Sequence, residues 1–186
     1  MNHNNLYSLS RVKVNLYLHL INRRKDGNHN IDSLVAFPEI GDEIIISPSS
    51  VINLQIEGKL RNELTTKDNL ILRAAKLFKN SNKGADIILK KTTPISAGLG
   101  GGSSNAAVTL KLLSKLWNVP LPPIKKLVSL GADIPVCMSW HLQRMQGIGE
   151  KTQLLNPPKF LWIVLLNNGE KVSTKLIFSK ISHSDF

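Results

Sequence analysis

"TTPISAGLGGGSSNAAVTLKLLSKLW", Thr92 to Trp117, holds four glycines within five positions, Gly98 to Gly102, followed by two serines and an apolar run of helical period. Just ahead of it, "ADIILKK" alternates as a strand does. Just after it, Ser103 or Ser104 can cap a helix whose apolar face carries Ala106, Leu110, Leu113 and Trp117. A strand, a glycine turn and a capped helix make an anion site. Helix N-termini carry unpaired N–H groups and partial positive charge, and glycine lets a phosphate come close to them. A flexible loop, or tight packing of helix on strand, would also use glycine, but a loop needing only flexibility would not need a capped helix directly behind it. Two familiar phosphate motifs do not apply. No lysine precedes Ser103 as a P-loop requires, and Ser103 stands where a dinucleotide fold needs its third glycine.

Working outward, "RVKVNLYLHLIN" alternates, with Val12, Val14, Leu16, Leu18 and Leu20 on one face and Lys13, Asn15, Tyr17 and His19 on the other. Asp26-Gly27 ends it in a turn. "IDSLVAFPEI", "DEIIIS" and the stretch from "SSVINLQIEG" read as further strands. "DNLILRAAKLFKN" reads as a helix capped by Asp68, with Leu70, Ile71, Ala74, Ala75 and Phe78 on its apolar face. "LPPIKKLVSLGADIP" is a short helix with prolines at its start and Gly131 beyond its end. "FLWIVLLNN" reads as a buried strand, and a last helix begins at Ser173. Adjacent strands mixed with helices predict an α+β fold.

The 186 residues are 42% hydrophobic, enough for a packed core, and the longest apolar run, Phe160–Leu166, is far short of the ~20 residues of a membrane span. One cysteine, Cys137, and no apolar signal core near the start predict the cytoplasm. The net charge of +11 favours anionic partners without choosing among them. The basic residues are scattered, so a nucleic-acid partner is not the expectation.

"PISAGLGGGSSNAA" resembles the glycine–serine phosphate loop of the GHMP kinases, the superfamily of galactokinase, homoserine kinase, mevalonate kinase and phosphomevalonate kinase. Four further pieces follow that family's order: "VKVNLYLHL" with "KDGNHN", "DNLILRAA", "GADIPV" and "GIGEK". The lysine strand and the turn Asp26-Gly27-Asn28-His29 resemble the branch that phosphorylates a 2-hydroxyl on a cytidine diphosphate substrate, in non-mevalonate isoprenoid (terpenoid) precursor synthesis. The resemblance implies an ATP- and Mg²⁺-dependent small-molecule kinase. It implies a ribosomal protein S5 domain 2-like N-terminal domain over 1–152, and the start of a shortened, ferredoxin-like C-terminal domain over 153–186.

The same resemblance assigns residues. Asp133 is the catalytic base and Lys13 steadies the developing charge. Pro94, Gly98, Gly100, Gly101, Gly102, Ser103, Ser104 and Asn105 hold the nucleotide, with Ser104 also a metal ligand. Asn15, His29, Thr174 and Phe178 line the substrate, His29 bonding the cytosine and Phe178 lying against its ring. Read from the residues alone, Lys13 projects from the polar face of its strand, and Asp133 sits at a corner between Gly131 and Pro135. The chain departs from the pattern at Asn28 and Val35, where the family has aromatic residues, and no second glycine-rich segment follows. The alternatives are an inactive or truncated remnant of this kinase, another GHMP small-molecule kinase, or a basic RNA-binding S5-like fold.

Overall fold

The computed structural model describes residues 5–78, 83–159, 161–170, 172 and 174–181. In chain order the elements are β1 (Leu6–Arg11), β2 (Val14–Arg23), β3 (His29–Ala36), β4 (Gly41–Ser49), β5 (Ile52–Glu57), a 3-10 turn (Arg61–Glu63), α1 (Leu70–Ala75) and β6 (Gly84–Lys90). Then come α2 (Gly101–Trp117), α3 (Ile124–Leu130), α4 (Ile134–Cys137), β7 (Gln143–Gly147), β8 (Lys151–Leu154) and α5 (Thr174–Ser179). The fold is α+β, as the pattern of elements predicts.

The strands form two four-stranded sheets, ordered β1-β4-β6-β5 and β2-β3-β7-β8. All pairings are antiparallel except β5 with β6. Helix α2 runs between two apolar clusters. Ala106, Ala107 and Leu110 pack with Val35, Ile134 and Met145, whereas Val108, Leu113 and Trp117 pack with Ile44, Ile87 and Leu89. A helix enclosed this way has no room to shift, so its N-terminus is a fixed point.

Several local expectations are corrected. Helix α2 starts at Gly101 rather than after a serine cap; Gly100 is its N-cap, in the left-handed region at φ 61°. Helix α1 is capped by Asn69, whose side chain accepts from the Ile71 N–H at 3.0 Å, and Asp68 stands outside it at φ 61°. The alternation through Val12–Leu20 is broken. β1 ends at Arg11, Val12 and Lys13 are both buried, and β2 slips register at Asn15/Tyr17 and Leu20/Asn22. Bulges of that kind reverse which face a side chain joins. Leu16, Leu18 and Ile21 are therefore exposed on an edge strand rather than forming a buried stripe.

"FLWIVLLNN" is not a strand over its described part. Residues 161–168 pair with no strand among the described residues, and Trp162 and Leu166 are 91% and 93% exposed. Apolar composition favours a strand only where another strand accepts its backbone hydrogen bonds. Ser173, the expected start of the last helix, lies outside the described residues. The β7–β8 hairpin has no counterpart in the sequence reading.

Candidate functional site

The glycine turn closes one side of a cavity of about 1230 Å³. Lys13 reaches it from the short break between β1 and β2, where its backbone N–H donates to the Leu99 carbonyl at 2.8 Å. That bond ties the glycine turn to the strand. A Cβ on Gly100 would stand 3.1 Å from Lys13 Cβ and 3.3 Å from its Cε, and φ is already left-handed there. The bare backbone at Gly100 thus makes room for a lysine side chain, in addition to whatever anion meets the helix. Gly98, at φ 72°, meets nothing within 4 Å and opens on the cavity.

Lys13 Nζ stands 3.5 Å from Asp133 Oδ2 and donates to Asn15 Oδ1 at 2.9 Å. Asn15 is held in turn: its Nδ2 donates to Ser33 Oγ, which donates to the Tyr17 carbonyl, both at 2.6 Å. This relay fixes which end of the amide faces Lys13. The lysine side chain is 5% exposed and the Asp133 side chain 39%, so a buried cation faces a carboxylate open to the cavity. Asp133 is the N-cap of α4, and behind it lies Cys137. Burial first, then the Asp133 charge, pushes the Cys137 thiol up to about 12, which keeps it protonated and unreactive.

The structure brings most of the sequence-predicted residues to one cavity. Pro94, Gly98, Gly100, Gly101, Gly102 and Ser103 line one wall. Lys13, Asn15 and Asp133 line the same space. At another part of the lining, the buried His29 ring lies 5.3 Å from the Phe178 ring, tilted by 49°. Thr174 begins α5, but its side chain lies outside the described residues.

Ser104 is a correction. It is wholly buried, it does not line the cavity, and its hydroxyl donates to the Arg11 carbonyl at 2.6 Å. It pins α2 to the end of β1 and is not placed to reach a metal. Ser103, one residue earlier, takes the cavity-facing position. Asn105 lines the cavity yet spends its Nδ2 on Asp42 Oδ2 at 3.0 Å, so its amide braces the wall. Among the described residues no group of three or more His, Cys, Asp or Glu gathers as a metal cage.

Sequence reasoning missed the charge pair beneath the turn. Lys91 Nζ donates to Asp42 Oδ2 at 2.7 Å and to Thr93 Oγ1 at 2.6 Å. Asp42 Oδ1 accepts from the Thr92 and Thr93 N–H groups and from Thr93 Oγ1, each at 2.9 Å. Both charged side chains are essentially buried. Burial alone would raise the Asp42 carboxyl, but the Lys91 charge and these hydrogen bonds hold it below its ordinary value. The cluster lies directly under α2: a Cβ on Gly101 would stand 3.7 Å from Lys91 Nζ and 3.5 Å from Thr93 Oγ1. Its signal was present in the strand pattern, where Asp42 continues the buried face of Ile44 and Ile46, and Lys91 that of Ile87 and Leu89.

Residues 69–141 match the family of GHMP kinases N terminal domain. Over those residues the chain is similar to a GHMP kinase N-terminal domain. It is 41% identical over 180 residues to a 4-diphosphocytidyl-2-C-methyl-D-erythritol kinase of Cereibacter sphaeroides, a match covering 96% of this chain and 64% of that protein. With the enzyme of the same name from Ruegeria pomeroyi it shares 43% identity over 171 residues, 91% of this chain and 61% of the relative. A crystal structure of 4-(cytidine 5'-diphospho)-2C-methyl-D-erythritol kinase superposes with a TM-score of 0.78 at 30% identity, covering 97% of this chain and 66% of the other. Galactokinase from Lactococcus lactis superposes at 0.57 with 15% identity, which speaks for the fold alone. The chain therefore spans a little under two thirds of the relatives it matches. Among the described residues, no helix is long and apolar enough to cross a membrane.

Proposed function

We propose that the chain is the ATP-dependent kinase that phosphorylates the 2-hydroxyl of 4-diphosphocytidyl-2-C-methyl-D-erythritol, a step toward isoprenoid precursors. The observation that carries the reading is the pair Lys13–Asp133, 3.5 Å apart, beside a glycine-led helix N-terminus in a cavity large enough for two substrates. Asp133 takes the proton as the hydroxyl attacks the γ-phosphorus of ATP, whose bridging bond to ADP breaks. Lys13, held by Asn15, steadies charge gathering on the phosphoryl oxygens. The N–H groups of the first turn of α2, with Ser103 beside them, receive the nucleotide phosphates.

Mg²⁺ suits this donor set when it arrives on the nucleotide, since such sites need only one or two protein oxygens in addition to phosphate. The Asp133 carboxylate and the Ser103 hydroxyl, both lining the cavity, would hold it there, and the ion would supply neutralisation of phosphate charge. His29 and Phe178 are the residues for the cytosine end, and Thr174 belongs to the same helix as Phe178. Asn28 offers no ring there. The domain reading is the one the family resemblance implies: an S5 domain 2-like unit over 1–152, and residues 153–186 as the beginning of a ferredoxin-like unit. A cytoplasmic address fits the one buried thiol, Cys137.

The test is ADP release from Mg-ATP by the purified chain, with and without 4-diphosphocytidyl-2-C-methyl-D-erythritol, next to Asp133→Asn. Turnover that needs the substrate and disappears in the variant is the expected result. A folded sample that binds ATP but releases no substrate-dependent ADP would overturn the proposed activity for this chain.

A further inference from the structure

The β7–β8 hairpin presses on the peptide that carries Asp133, and it does so through residues that the sequence gives no catalytic chemistry. We infer that the turn Gly147-Ile148-Gly149-Glu150 is a positioning latch for Asp133, with Gly149 as its contact point. This rests on the reading of Asp133 as the base.

Three residues of the turn have separate physical reasons to be what they are. Gly147 adopts φ 72°, and a Cβ there would collide with the Glu150 carboxylate. Its absence lets Glu150 fold back, so that Glu150 Oε2 accepts from the Ile148 N–H at 2.7 Å. Gly149 adopts φ 119°, closed by its own N–H donating to the Gln146 carbonyl at 3.2 Å. Side chains rarely tolerate that backbone region. The consequence is contact. Gly149 is buried, and a Cβ on it would stand 3.0 Å from the Ala132 carbonyl oxygen, 3.5 Å from its carbon and 3.6 Å from Met145 Sδ.

Ala132 is the residue immediately before Asp133, so any methyl at 149 displaces the peptide from which the carboxylate hangs. The opposite side has little give. Ile134 and Val136 are fully buried, and Gln143 Nε2 at the start of β7 donates to the Val136 carbonyl at 2.9 Å. The corner at Asp133 is thus clamped between α4 and the hairpin. The carboxylate stands 3.5 Å from Lys13 Nζ, and a shift of the corner changes that gap first. The nucleotide wall is formed by other elements, so the latch should act on turnover and leave ATP affinity alone.

The experiment compares Gly149→Ala with Gly169→Ala, which has the same kind of left-handed backbone (φ 84°) but nothing within 4 Å of its added methyl. Where the parent turns over, Gly149→Ala should lower kcat about 10- to 100-fold, the order expected for misplacing a reacting group by a fraction of an ångström to one. The KM for ATP should stay within about twofold in that variant. Gly169→Ala should leave both unchanged. Should Gly149→Ala fail to fold, Glu150→Ala and Glu150→Gln decide: the first frees the turn and should lower kcat, and the second still accepts from Ile148 N–H and should restore it. Parental kcat in Gly149→Ala, or equal losses in Glu150→Ala and Glu150→Gln, would overturn the latch. If the parent itself shows no turnover, the kinase reading fails for this chain, and the latch is read from amide resonances instead. Shifts in Gly149→Ala confined to Ala132–Ile134 and Lys13 support it; unmoved signals there overturn it.

Discussion

Two lysine–aspartate pairs flank the glycine turn, and they are built for opposite purposes. Lys91–Asp42 lies under Gly101 at 2.7 Å, with both side chains buried and both Asp42 oxygens accepting hydrogen bonds. Lys13–Asp133 lies against Gly100 at 3.5 Å, with the carboxylate 39% exposed and, among the described residues, paired with the lysine alone. A carboxylate buried and bonded through both oxygens is not free to take a proton from a substrate. Its energy goes into holding β4, the Thr92-Thr93 strap and the first turn of α2 in one arrangement. An unsaturated pair can accept a proton and meet a phosphate. Charge and residue type are the same in both, and the surrounding donors decide which one can react.

The sharpest test of that contrast exchanges the readouts. Asp133→Asn should remove 10²–10⁴ of kcat, the range for loss of a general base, while melting within a few degrees of the parent. Substrate-dependent ADP release and a thermal melt on the same preparation check both halves. A large loss of stability in Asp133→Asn would mean that the exposed pair is structural too, and the contrast would fail.

The buried pair should behave the other way round. Asp42→Ala leaves the Lys91 ammonium buried without its counter-charge, a change that costs about 3–5 kcal/mol. Urea unfolding of the parent and the variant measures this directly. Replacing both partners, as in Asp42→Leu/Lys91→Met, should recover most of the loss, because the uncompensated charge is gone. Failure of the double variant to recover would point to the hydrogen bonds from Thr92, Thr93 and Asn105 as the larger contribution.

Much of the fold and the site was legible because side-chain period and glycine placement report directly on backbone geometry. The strand–turn–helix from Ala85 to Trp117 could be read that way, as could the apolar face of α2. The β7–β8 hairpin could not. "QRMQG" has one apolar residue, and Gln143 fills a core position that an aliphatic side chain would normally announce, being 1% exposed and bonded through Nε2. "FLWIVLL" failed in the opposite sense, since its apolar run says nothing about whether a partner strand is present. The Asp42–Lys91 pair was readable in principle. Each strand carries a charge in step with its buried residues, and two opposite charges on adjoining buried faces have to meet. Ser104 was misplaced because the helix starts three or four residues earlier than a cap at Ser103 or Ser104 implies, so Ser104 lies within the helix, on a face packed against the end of β1.

Gly100→Ala should cost less stability than Asp42→Ala and less activity than Asp133→Asn. The backbone at φ 61° is unfavourable for alanine by about 1–3 kcal/mol, and the new methyl would press on Lys13 Cβ at 3.1 Å. Melting temperature should fall modestly, with kcat falling alongside as Lys13 is pushed. Gly98→Ala pays the backbone cost without any such contact, and so separates strain from displacement.

The smallest effect is a pH dependence. The Asp42 carboxyl sits below its ordinary value of 3.8 in the folded protein, so the unfolded chain binds its proton more readily than the folded one. Its contribution to stability is therefore complete above the ordinary value and is lost as pH falls through the lower folded value. Asp32, beneath the Arg144 guanidinium, and Asp26, in its own turn, are shifted the same way, so the parent's acid limb is a sum. The difference between parent and Asp42→Leu/Lys91→Met isolates the buried pair. Melting temperatures of the two should run parallel from pH 7 to 5 and converge below about pH 4, as the parent alone loses the Asp42 contribution. Curves that stay parallel down to pH 2 would mean that Asp42 keeps its charge only as firmly as in the unfolded chain, and the buried pair would then lose its claim to be the stronger of the two.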